Sequence, residues 1–160
     1  MSGPALRQPH AHHAIHDSAH GEAEELLQLF RRAWAREEFE AAVGVADVLV
    51  SHFETRTLTH ASEEETGLYQ ELLARHRELS ETIARLTSHH QLMRELTAEI
   101  KSLLQATGKI SDHPSQLDEI ESRFNTLMCI NEYHSRSEEH MLAALEVAAS
   151  TTDPKPANGF

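Results

Sequence analysis

The sequence is short of several things. It has one cysteine, six glycines and five prolines in 160 residues, and aromatics make up 5% of it. A lone Cys129 excludes an intramolecular disulfide, and the N-terminus lacks the charged start and apolar stretch of a secretory signal, so a reducing cytoplasm is expected. No apolar run approaches the roughly 20 residues that span a bilayer, so no membrane partner is expected. Runs rich in Val, Ile, Thr and aromatics are almost missing, which leaves little material for strands. Basic residues are outnumbered, 14 against 26 acidic, for a formal net charge of -12. A chain that displaces few counterions is no partner for a phosphate backbone, so nucleic acid is excluded.

Ala, Leu, Glu, Arg and Gln are abundant, and the length suits one domain that folds around a single core. Apolar residues recur at spacings of three and four over about 14–36, 38–75, 78–107 and 114–149, which predicts four long amphipathic helices. The breaks are a charged turn at Arg36 to Glu38, a polar stretch from Arg75 to Glu78, and Thr107-Gly108, where glycine suits a helix C-cap. Ser111 to Pro114 then resembles an N-cap followed by a first-turn proline. Short connections make neighbours antiparallel, so the expected fold is all-α, an antiparallel up-down-up-down four-helix bundle. Residues 1–13 read as a flexible His-rich leader, 14–149 as the domain, and 150–160 as a disordered tail.

Histidine is the excess, with 13 copies. Placing His60 on His134 aligns Val50 with Phe124, Phe53 with Leu127, Glu64 with Glu138 and Leu68 with Leu142. Placing His20 on His90 aligns Leu26 with Leu96 and Phe30 with Ile100. The chain therefore reads as two helix hairpins, each with one histidine on its first helix and His-x-x-x-Glu on its second. In helices two and four these pairs interrupt an apolar seam: Phe53, Thr57, His60, Glu64, Leu68 in one, Leu127, Asn131, His134, Glu138, Met141 in the other. Residues one turn apart share a helix face. A buried carboxylate without a partner costs several kcal/mol, so two such breaks in equivalent seams imply a shared cation.

This pattern resembles the hemerythrin-like, or HHE cation-binding, domain family, through His20, His60-Ala-Ser-Glu-Glu64, His90 and His134-Ser-Arg-Ser-Glu138. The likeness covers residues 14 to 149, with successive histidines 40, 30 and 44 residues apart (20 to 60, 60 to 90, 90 to 134). It implies two non-haem irons joined by an oxo or hydroxo bridge, bridged also by Glu64 and Glu138 and capped by the histidines. Oxygen-carrying members have a further histidine one turn before the helix-three ligand, where this chain has Leu86. His16, one turn before His20, takes the two-fold equivalent of that place; the alternative is a solvated side chain of the leader. With His16, His20 and His60 on one iron and His90 and His134 on the other, the second iron keeps an open position.

The expectation is then reversible O2 binding for storage, delivery or sensing, without catalysis, by a monomer or small homo-oligomer. The competing expectation is a redox enzyme acting on peroxide or nitric oxide, or an iron-centre repair protein. Ferritin-like oxidation is disfavoured because no glutamate lies three residues before any histidine. Phe53, Leu86, Met93, Leu127 and Ile130 are expected to wall the site, Glu65 and Glu139 to lie outside the ligands, and Tyr69 and Tyr133 to reach toward it. Cys129 is expected to pack near the metal layer and His52 to lie at the surface. His89 leaves a one-residue ambiguity at His90.

Overall fold

The computed structural model describes residues 9–106 and 115–152. The expected C-cap at Thr107-Gly108, the N-cap and proline before residue 115, and most of both tails lie outside the described residues. Helix α1 spans Pro9–Ala35. Helix α2 covers 39–75 without a break, built from α-helical Phe39–His52, Leu58–Glu63 and Tyr69–Arg75 with π-helical turns at Phe53–Thr57 and Glu64–Leu68. Helix α3 spans Ser80–Ala106 and α4 spans Ser115–Thr152. Each helix packs on two others, α1 on α2 and α4, α3 on α4 and α2, which closes the expected four-helix bundle. No helix among the described residues is long and apolar enough to cross a membrane.

Helix α1 begins at Pro9 rather than near residue 14, so residues 9–13 of the expected leader are helical. Proline is tolerated in a first turn, because its missing N–H would have no intrahelical acceptor there.

The bundle interior has three layers. A large apolar cluster holds Leu27, Phe30, Leu49, Phe53, Ile100 and Phe124, with the Phe30 and Phe124 rings 6.1 Å apart edge to face. A smaller cluster of Leu68, Tyr69, Ile83, Leu86, Met141 and Leu142 fills the other end. Between them lies a buried polar layer that includes His12, Glu64, His90, His134 and Glu138.

The π turns distinguish α2 from α4. In the first, the N–H of Leu58 reaches the carbonyl of Phe53; in the second, that of Tyr69 reaches Glu64. Each five-residue step inserts one residue and rotates the downstream part of the helix by about 100°. Tyr69 thereby turns inward and is buried, whereas its counterpart in regular α4, Ala143, is exposed.

The α1–α2 turn closes with Glu37 N–H to the Trp34 carbonyl at 2.9 Å and Glu38 N–H to the Ala33 carbonyl at 3.0 Å. These bonds form a Schellman cap, and they put Glu37 at φ 58°, the left-handed region where a Cβ is unfavourable. Glu37→Gly is expected to raise unfolding free energy by about 0.5–1 kcal/mol. Urea denaturation followed by circular dichroism checks this; a loss of stability would show that the Glu37 side chain contributes more than its backbone costs.

Candidate metal centre

Seven side chains from all four helices meet in the polar layer. His12 and His16 lie one turn apart on α1, His60 and Glu64 one turn apart on α2, His90 on α3, and His134 and Glu138 one turn apart on α4. Their inward-facing donors form two groups, His12, His16, His60, Glu64 and Glu64, His90, His134, with the donor atoms of each group within 4.8 Å of one another. Glu64 belongs to both. Its Oε1 faces His60 at 2.8 Å, His12 at 3.1 Å and His16 at 3.2 Å, while its Oε2 faces His90 at 3.2 Å and His134 at 3.9 Å. Glu138 Oε2 sits 2.7 Å from His12 Nε2, 3.5 Å from His16 and 3.8 Å from His134.

Six of the seven residues expected from sequence converge here, and His20 does not. It is half-buried on α1, with its Nδ1 unpartnered among the described residues. His12, assigned to the leader by sequence, takes the place, 1% exposed. The correction is a register shift of four residues. Four residues make about one turn, so His20 and His16 are equally compatible with the same apolar face. Placing His16 on His90 instead aligns Ala23 with Thr97, both buried, and puts His12 opposite Leu86. The spacing alone does not discriminate, since His12-x-x-x-His16 and His16-x-x-x-His20 are alike, and proline and neighbouring histidines make the first stretch read as a tail.

Other expectations divide. Cys129 is exposed rather than packed inside, because the inward face of α4 there is Leu127, Met128 and Asn131. Tyr133 is exposed and meets His89 edge on, whereas Tyr69 is buried with its ring parallel to His90 at 5.9 Å. His52 is more buried than expected, its Nε2–H donating to the Ala19 carbonyl at 2.9 Å. His90, not His89, supplies the α3 donor.

The electrostatics fit a cation. Burial opposes ionisation of Glu64, yet the close approach of His12, His16, His60 and His90 outweighs it and holds the carboxyl well below its usual range. Burial likewise opposes charge on His12, but Glu138 and Glu64 outweigh it and raise its pKa to about 10. Burial and then repulsion by His90 drive His134 down to about 2, leaving it a neutral imidazole. Two nitrogen pairs, His16 with His60 and His90 with His134, each approach to 3.1 Å. Glu64 Oε2 and Glu138 Oε1 are buried without a hydrogen-bond partner among the described residues. Converging lone pairs and orphaned carboxylate oxygens suit divalent ions of intermediate softness, which take mixed imidazole and carboxylate shells.

Outer contacts orient the rings. His90 Nδ1–H donates to Glu65 Oε1 at 2.8 Å, and Arg94 holds that oxygen at 3.0 Å. His16 Nδ1–H donates to Ser135 Oγ at 2.6 Å, and Ser135 in turn donates to the Asn131 carbonyl. Both arrangements fix the proton on Nδ1 and leave Nε2 facing inward as a ligand. Glu139 instead pairs with His13 at the surface. Tyr69 carries a buried hydroxyl near Glu138 that forms no well-aligned hydrogen bond among the described residues. Burial and then the charge of Glu138 push its pKa up, so the phenol keeps its proton.

Metal content after reconstitution tests the register. His12→Ala is expected to lose metal while His20→Ala retains the full complement, and Glu65→Ala is expected to weaken metal affinity about 10–100-fold. Equal losses in His12→Ala and His20→Ala would contradict the placement of His12.

Residues 10–145 match the family model described as hemerythrin HHE cation binding domain. No curated protein and no solved structure gives a significant match to the chain. The match extends over most of the sequence and takes in every member of the histidine and glutamate cluster. The chain thus belongs to the hemerythrin HHE cation-binding domain family, and its buried histidines and glutamates fit a metal site.

Proposed function

We propose that the chain is a non-haem di-iron protein that binds O2 reversibly, with His12, His16, His60, Glu64, His90, His134 and Glu138 as ligands. The observation that carries this reading is Glu64, fully buried, with each carboxylate oxygen facing a different histidine group. That is the disposition of a carboxylate shared by two cations. Three histidines stand on one side, His12, His16 and His60, and two on the other, His90 and His134. The second side therefore has one protein donor fewer, and Leu86, which offers no donor, fills the place that would make the two equal.

Two bound ferrous ions would supply the electron pair that O2 accepts on binding. The chain's own contribution is enclosure and orientation. Phe53, Leu86, Met93 and Leu127 are almost completely buried, and an apolar shell of this kind limits solvent access to a metal. The Ser135 and Glu65 contacts hold the rings of His16 and His90 in place.

Anaerobically reduced protein with two irons per chain is expected to gain a visible absorption band in air and to lose it under argon. The buried, protonated Tyr69 favours a second reading, reduction of peroxide or nitric oxide, which consumes protons. Irreversible oxidation in air, with peroxide turnover that falls in Tyr69→Phe, would select that reading over O2 carriage.

A further inference from the structure

The contact behind His90 differs in kind from those behind the other histidines. Its Nδ1–H donates to a carboxylate, Glu65 Oε1, at 2.8 Å, whereas that of His16 donates to the neutral hydroxyl of Ser135. The Nδ1 atoms of His12 and His134 have no hydrogen-bond partner among the described residues. A carboxylate behind an imidazole raises its basicity as a ligand. The same Glu65 oxygen also accepts from Arg94 Nη1 at 3.0 Å, and Arg94 Nη2 donates to Ser62 Oγ at 3.3 Å. Ser62 in turn donates to the Leu58 carbonyl, so α2 fixes the α3 guanidinium beside Glu65.

The two-fold related positions carry a different arrangement. With His16 placed on His90, Arg94 corresponds to His20, and with His60 placed on His134, Glu65 corresponds to Glu139, which pairs with His13. The Arg94 and Glu65 side chains are 29% and 26% exposed. An ion pair so close to solvent adds little to stability. Its distinctive feature is that two donors compete for one oxygen, and an oxygen that serves both polarises each N–H less than it would polarise one alone.

We infer that Arg94 is a positioning residue that sets how strongly His90 donates to a metal held by Glu64, His90 and His134. By sharing Glu65 Oε1 it limits the pull of Glu65 on the His90 Nδ1–H, and with it the electron density at Nε2. Stronger donation from His90 favours the oxidised metal over the reduced one, since hydrogen bonds behind a ligand tune the potential of what it binds. Arg94 holds that preference down on the side of the site that has two histidines rather than three. The inference rests on the metal-site reading for its ligands and on the di-iron reading for one of its two measurements only.

The full chain is compared as wild type, Glu65→Gln, Arg94→Leu, Arg94→Lys and the Glu65→Gln/Arg94→Leu double variant. Zinc affinity is measured by competition with a chelator, and the midpoint potential of iron-loaded protein by spectroscopic redox titration. Glu65→Gln is expected to weaken zinc binding about ten-fold and to raise the potential. Arg94→Leu is expected to leave zinc binding undiminished and to lower the potential, with Arg94→Lys closer to the wild type. In the double variant the Arg94 change is expected to add nothing, because its effect passes through Glu65. A loss of zinc affinity in Arg94→Leu as large as that in Glu65→Gln overturns the inference, since Arg94 would then do no more than hold Glu65 in place. So does a potential that falls as far when Arg94 is removed from the Glu65→Gln background, which would show a through-space charge instead. Protein that binds zinc but takes up no iron defeats the di-iron reading and leaves Arg94 to be decided by the zinc measurement. Protein that binds neither metal defeats the site, and this inference with it.

Discussion

The structure depends on two carboxylates, Glu64 and Glu138, held fully buried among five imidazoles. In an apolar interior such charges are tolerated only with close positive partners. The chain answers that constraint from all four helices, and the requirement fixes how far each helix may slide along its neighbours. The polar layer therefore does for helix register what apolar packing alone would leave loose. The two apolar clusters on either side of it are interchangeable in chemistry, but the donors between them are not.

The π turns of α2 fine-tune this layer. The bundle is approximately two-fold, and with two regular helices the equivalent positions on α2 and α4 would point alike. Inserting residues at Phe53–Thr57 and Glu64–Leu68 breaks the equivalence around the site. The second insertion carries Tyr69 into the small cluster against His90. The asymmetry of histidine supply, with His12 opposite Leu86, has the same consequence. Two nearly identical halves come to differ, with three histidines on one side and two on the other.

Most of this is legible in the sequence. The four helices come from apolar spacing, and the pairs His60 with Glu64 and His134 with Glu138 come from their interruption of that spacing, because a one-turn separation puts both groups on one face. His90 is separable from His89 by the same means. His12 is not, because a four-residue slip returns a helix almost to its starting direction, and because Pro9 and a run of histidines disguise a helix start as a tail. Cys129 departs from its expected layer for a related reason: one residue along α4 turns a side chain by about 100°, enough to move it from core to surface.

The sequence by itself determined fold class, the number of helices, and the kind of chemistry, since amphipathic period and residue type are local properties. Only the tertiary structure decided which α1 histidines enter the core and how the donors divide into three and two. Those outcomes turn on how helices slide and rotate against one another, and the period of a single helix carries no information about its axial position relative to a neighbour.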